Sequence, residues 1–198
     1  DGVQVVTVAM LGHKADVAVM AMHADQRELR ALQTGVQRAG LEVVDSYVSL
    51  TESSEYAKGM PEEAIKARLY PSIPPQGHDL PAWCFYPMSK KREGHANWFT
   101  LPFDERKDLM FEHGMSGRKF AGRIIQYVTG SAGLDDFEWG VTLFGAHPDT
   151  RAARKPRAHE KRGETARGCP ESLVGQSAVG RDHRDAVRVL GRVPRDRF

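Results

Sequence analysis

Tyr86 and Lys90 stand four residues apart in the stretch Cys84-Phe85-Tyr86-Pro87-Met88-Ser89-Lys90-Lys91-Arg92, which joins a phenol to three successive cations. In an extended chain side chains alternate between faces, so Tyr86 shares a face with Cys84 and Met88. A strand tyrosine most often simply packs. Beside an oxidising centre its phenol can also give up a proton or an electron. The run Lys90-Lys91-Arg92 is ordinarily a solvated strand end, but against a carboxylate-rich ligand it would supply charge-assisted hydrogen bonds. Lys90 has the parity of Tyr86, yet an extended chain separates the two by roughly 13 Å. Both can touch one small group only if the chain bends near Pro87.

Two further candidates are more widely spread. His113 lies in a segment that opens with Pro102 and closes at Gly114, which places it in the last turn of a helix. There the helix dipole stabilises a charged imidazole, and a surface histidine is the ordinary outcome. The alternative is a neutral ring whose free nitrogen ligates a metal, as a proximal histidine does toward iron. No second His or Cys lies near it at zinc-ligand spacing, which argues against zinc. Gln126 shares a period-two face with Ile124 and Val128, so it is a polar amide in an apolar row. Buried there, it must find hydrogen-bond partners; at a sheet edge, Gln126 and Tyr127 would merely straddle the boundary.

These side chains need elements to hold them. Residues 3–11 and 15–22 are rich in Val, Ala and Met and read as two strands. Asp25 follows as an N-cap with Glu28 three residues on. Leu29, Leu32 and Val36 recur at helical spacing, Gly40 is the stop, and residues 41–50 are strand-like again. Residues 53–81 form a linker with some helical content and several Pro and Gly. A second series follows: a strand over 82–88 that ends or bends at Pro87, a helix to Gly114, and strands over 120–129 and 138–144. A ferredoxin-like unit runs strand, helix, strand, strand, helix, strand. The first series supplies the last four of those elements and the second supplies the first four. The fold class is therefore α+β, with tandem ferredoxin-like units of the dimeric α+β barrel type, both incomplete. The units span 1–52 and 82–148.

Past His147-Pro148 the character changes. No aromatic residue follows Phe144 until Phe198, Arg dominates, and the run Arg151-Ala152-Ala153-Arg154-Lys155-Pro156-Arg157 has neither apolar period. Residues 149–198 are read as an Arg-rich tail, either a disordered extension or sequence out of frame from a G+C-rich gene. With the start at Asp1, this leads to the expectation that the chain is not a whole natural protein.

Composition narrows the class. With 40% hydrophobic and 27% charged residues in 198, the chain has the balance of a soluble globular protein. No apolar run is long enough to span a bilayer, and no secretory signal opens the chain. Two cysteines, Cys84 and Cys169, argue against a disulfide scaffold and fit a cytoplasmic location. A formal charge of +2 argues against a nucleic-acid partner.

Several motifs in order carry a resemblance: Arg68-Leu69-Tyr70-Pro71, then Cys84 to Lys90, Asn97-Trp98-Phe99 with Leu101-Pro102, Glu112-His113-Gly114 with Gly117-Arg118, and Asp135-Asp136-Phe137-Glu138-Trp139-Gly140-Val141-Thr142-Leu143-Phe144. Leu11-Gly12-His13-Lys14-Ala15-Asp16 matches more loosely. Over residues 3–147 the sequence resembles the coproheme decarboxylases of the chlorite dismutase-like, haem-binding family.

The resemblance implies a haem-like group held in the C-terminal unit and subunits assembled as a ring of five. It implies His113 as the proximal iron ligand and Tyr86 as the redox-active residue. The substrate it implies is iron-coproporphyrin III (coproheme), its own redox cofactor, whose two propionates are converted with hydrogen peroxide to vinyls, giving haem b. Lys90 then assists at a propionate or returns a proton, Arg68 pairs with a propionate, Tyr70 helps, and Pro87, Met88 and Ser89 line the same wall. Gln126 stands where chlorite dismutases carry a distal Arg, so the neutral amide favours the decarboxylase. Trp98 and Trp139 are read as packing residues first. The pattern departs at both ends. The family has another strand and helix before Val3, and after Phe144 it continues with a helix, a strand bearing an Arg-Phe-Asp-Glu motif and a propionate-binding Ser, none of which residues 149–198 show. Three rivals stay open: a chlorite dismutase or haem peroxidase, a haem-binding protein without turnover, and a nucleic-acid role for the tail.

Overall fold

The computed structural model describes residues 2–92 and 97–148, together with the backbone of 173–180 and 184–192. Strands β1 (Gln4–Met10) and β2 (Val17–His23) pair antiparallel from Gln4↔Met22 to Ala9↔Val17. Helix α1 (Gln26–Arg38) starts where Asp25 accepts a hydrogen bond from the Arg27 N–H and buries Leu29. The hydrogen bonds from Arg27 hold the Asp25 carboxyl down to about 2. Gly40, at φ 92, turns the chain into β3 (Glu42–Thr51), a backbone conformation that favours glycine. The helical content expected in the linker is a 3₁₀ turn at Glu55–Ala57 and helix α2 (Glu62–Leu69). There follow β4 (Ala82–Met88), α3 (Phe103–Arg118), β5 (Ile124–Gly130), β6 (Trp139–Gly145), β7 (Leu173–Gly180) and β8 (Arg184–Arg192).

Two boundaries differ from the sequence-based reading. Helix α3 does not close at Gly114 but runs on to Arg118. Gly114 is not among the positive-φ glycines, and the left-handed turn comes at Gly122, φ 76. Consequently β5 begins at Ile124 rather than near Phe120. Strand β4 keeps the expected bounds: it pairs with β6 at Pro87↔Gly140 and ends one residue on, at Met88↔Trp139. Among the described residues, Phe85 is the last of β4 paired with β7.

All the strands close into one barrel in the order β1-β2-β8-β3-β5-β6-β4-β7, with antiparallel neighbours throughout. The α+β class holds, and each half carries a split βαβ arrangement. In the second half α3 links the parallel strands β4 and β5, with β6 between them; in the first, α1 links β2 and β3, with β8 between them. Strands β7 and β8 come from residues 149–198, the stretch read from sequence as a disordered or frameshifted tail. A gap flanked by strands offers unpaired N–H and C=O groups on both sides, and backbone pairing satisfies them with little regard to side-chain identity.

Side-chain alternation sorts the apolar residues into two clusters. Val6, Val8, Ala18, Met20, Met22, Tyr47, Trp83, Phe85 and Phe144 fill the barrel. Cys84, Ile124, Val141 and Leu143, with Tyr86, Met88 and Phe120 against them, cover the outer face of β4, β6 and β5. The interior is tight at Gly140, where an added Cβ would lie 2.7 Å from the Tyr47 ring and 3.0 Å from that of Phe85. Tyr47 is pinned there by its hydroxyl bond to Ser131, whose own Oγ donates to the Phe137 carbonyl. Gly140→Ala is therefore expected to cost about 1–3 kcal/mol, the usual range for overpacking, seen as a lower urea midpoint at unchanged slope.

The linker is fastened across the barrel rather than loose. Gln4, fully buried, donates from Nε2 to the Pro71 carbonyl (3.2 Å) and accepts from the Ile73 N–H. The Tyr127 hydroxyl donates to the Ser72 carbonyl at 2.9 Å, and burial pushes that phenol up to about 12. The start of α3 is tied to the same linker. Arg106 bonds Glu55 at 2.7 Å and the Tyr56 hydroxyl at 3.2 Å, and the Tyr56 ring stacks on Phe103. Among the described residues no helix is long and apolar enough to cross a membrane.

Candidate functional site

The outer face of β4, β6 and β5 is where the sequence candidates begin to converge. Register aligns Tyr86, Val141 and Val128 in one cross-strand row, and Cys84, Leu143 and Gln126 in the next. Tyr86 and Gln126 therefore share a face, two strands and one row apart, or about 12 Å between backbones. Both are partly buried, as is Met88, while Val128 in the Tyr86 row is 45% exposed. This wall is apolar, carries one phenol and one amide, and is only partly covered. Pro87 has the opposite parity and points with Phe85 toward the barrel, so its backbone rather than its ring borders this face.

Beyond Met88 the chain leaves the ladder as a strap, residues 89–92. The backbone N–H of Lys90 donates to Glu138 Oε2 at 2.7 Å, Arg92 bonds Glu138 Oε1, and the Ser89 hydroxyl accepts from the Glu138 N–H at 3.2 Å. The Lys90 ammonium sits 4.1 Å above the ring of the buried Trp98, and the Arg92 guanidinium 4.1 Å above Phe99. Trp98 thus packs, as read from sequence, and also faces a cation. Trp139 donates from Nε1 to Glu52 at 2.9 Å, fastening the start of β6 to the end of β3.

His113 belongs to α3. Because that helix connects β4 to β5 and the barrel is filled, it lies outside, on the side of the second cluster. Its less exposed residues, Arg106, Leu109, Met110, His113 and Gly117, recur at one helical face, with His113 one turn beyond the buried Leu109. Phe103, Phe111 and Met115 are exposed. Arg68 and Tyr70 belong to the linker, Arg68 exposed on α2 with its guanidinium against Met60 Sδ, and Tyr70 half-exposed just past the helix. The structure thus brings Tyr86, Met88 and Gln126 to one face, with Ser89 and Lys90 at its rim. It keeps Arg68 and Tyr70 on the linker.

These residues suit a flat apolar macrocycle with carboxylate arms. The second cluster offers an apolar wall, His113 a ring nitrogen, and Lys90 a cation at the rim. Among the described residues no group of three or more His, Cys, Asp or Glu could hold a metal ion, and a porphyrin brings ring nitrogens of its own. Sequence reasoning missed Glu138 as the organiser of the strap. Its only sequence signal is an acidic residue one step before a strand, 48 positions from the cation it steadies.

Comparison with known proteins adds independent findings. The family model described as chlorite dismutase matches residues 1–166. A coproheme decarboxylase of Staphylococcus carnosus (strain TM300) is 42% identical over 149 residues, which cover 69% of this chain and 57% of that relative. The chain therefore matches little more than half the length of this curated relative. A solved haem-binding protein from Thermus thermophilus superposes with a TM-score of 0.76 at 31% identity, over 89% of this chain and 72% of that one. Chlorite dismutase from Candidatus Nitrospira defluvii, solved in complex with imidazole, gives a TM-score of 0.63 at 16% identity over 89% and 75%, a likeness of fold alone.

Proposed function

This chain belongs to the chlorite dismutase family, and from that premise we propose that it is built for the peroxide-dependent oxidative decarboxylation of two propionates of iron-coproporphyrin III to vinyls, giving haem b. The observation that carries this reading is the shared face of Tyr86 and Gln126 beside an apolar wall. The 42% identity to a protein named coproheme decarboxylase supports it. A neutral amide at Gln126, where the family's chlorite dismutases carry Arg, favours the decarboxylase over the dismutase.

Bound iron-coproporphyrin III supplies the iron at which peroxide is reduced, and with it the oxidising equivalents. Every other role falls to the chain. His113, on the inward face of α3, ligates the iron through a ring nitrogen, and residues 82–148 form the unit that holds the macrocycle. Gln126 presents an amide from the sheet without adding charge. Tyr86 gives up its phenolic hydrogen atom, and the tyrosyl radical recovers one from a propionate arm, which then loses carbon dioxide and one further electron. For each arm a propionate, one peroxide and one proton give a vinyl, carbon dioxide and two waters. Lys90 assists at a propionate or returns the proton, and Arg68 pairs with a propionate through its planar fork. Met88 and Ser89 complete the wall. The ring of five subunits and the cytoplasmic location belong to the same proposal.

The test adds hydrogen peroxide to the full-length protein loaded with iron-coproporphyrin III and follows porphyrin mass. Stepwise loss of both propionate carboxyls is the expected result. Dioxygen release from chlorite, with the porphyrin mass unchanged under peroxide, would instead mark a dismutase.

A further inference from the structure

We propose that Glu138 is a positioning residue that fixes where Lys90 presents its ammonium, a role whose catalytic consequence rests on the decarboxylase reading above. The β4–β6 ladder ends at Met88↔Trp139, so the next pair in register would be Ser89 and Glu138. Side chains take over at that point. The Glu138 N–H donates to Ser89 Oγ, Glu138 Oε2 accepts the Lys90 N–H at 2.7 Å, and Oε1 accepts from Arg92. The Glu138 side chain is only 14% exposed, against 63% for Arg92, so the carboxylate is largely withdrawn from water and satisfied by the strap.

The opposite side of the strap is equally constrained. The Trp98 N–H donates to the Lys91 carbonyl at 3.1 Å, and the Asn97 side chain accepts from the Phe99 N–H at 3.0 Å. That turn places the Trp98 and Phe99 rings under the Lys90 and Arg92 head groups. Lys90 therefore leaves a backbone anchored by a carboxylate and lies along an aromatic wall. A flexible four-carbon stem is held where a free surface lysine would explore many rotamers. The carboxylate suits the task because it is acceptor-only and can take donors from the backbone and a guanidinium together. A glutamine keeps one acceptor and turns its NH₂ toward Arg92.

The experiment uses the full chain and two readouts. Lys90 acylation by an amine-reactive ester is followed by mass spectrometry relative to the exposed Lys58, with and without iron-coproporphyrin III; kcat and KM under peroxide are measured separately. In Glu138→Ala we expect severalfold faster Lys90 acylation, weaker protection by the porphyrin, and a fall in kcat of about tenfold with little change in KM. Glu138→Gln should lie nearer the native protein, because its Oε1 still accepts the Lys90 N–H. Should the alanine variant not fold, Glu138→Leu carries the test, since it fills the same space, accepts no hydrogen bond and should show the same changes at Lys90. Lys90 reactivity and porphyrin protection equal to the native protein's in the alanine or leucine variant overturn the proposal. If the native protein shows no turnover but acylation shifts as expected, the positioning role stands and the decarboxylase reading falls.

Discussion

Tyr86→Phe leaves a folded protein that still takes up iron-coproporphyrin III but decarboxylates it at least about a hundredfold more slowly, a rise in barrier of about 2.7 kcal/mol. The ring of Tyr86 packs on the outer face of the sheet with Cys84, Met88, Val141 and Leu143. Phenylalanine keeps that packing and removes only the hydroxyl, so stability and uptake should hold while the hydrogen-atom step is lost. Porphyrin mass against time, at saturating peroxide, measures the effect. Native-like turnover in the variant would take Tyr86 out of the mechanism. Glu138 acts at a different point, the Lys90 backbone in the strap beyond β4.

His113→Ala should weaken retention of the iron porphyrin by about a hundredfold, near 2.8 kcal/mol, and alter the visible spectrum of what remains bound. His113 lies on the face of α3 that also carries the buried Leu109. That face packs outside the barrel, whose interior is filled by other elements. The thermal midpoint of the ligand-free variant should therefore stay close to that of the native protein, and added imidazole should restore part of the original spectrum. An unchanged spectrum and affinity would show that the iron has another ligand, and α3 would lose its place in the site.

Period-two alternation alone puts Tyr86, Cys84 and Met88 on one face, and the register bears this out. The Asp25 cap and the Gly40 stop were equally legible, since capping depends on residues close in sequence. Local signals misled at Gly114. A glycine ends a helix only where the backbone turns left-handed, and the turn falls at Gly122. The strand over 82–88 was legible too, its ladder ending one residue past Pro87 at Met88↔Trp139.

Local chemistry alone, then, determined which residues could react and which strand face or helix they occupy, because alternation and capping act within a few residues. Tertiary structure decided the partnerships across long separations: Gln126 brought to the face of Tyr86, Glu138 reaching back to Lys90, Trp98 beneath the Lys90 ammonium, and Tyr47 pressed against Gly140. These depend on strand order and register, which follow from closing the barrel and filling its interior and so are written in no single stretch of the chain.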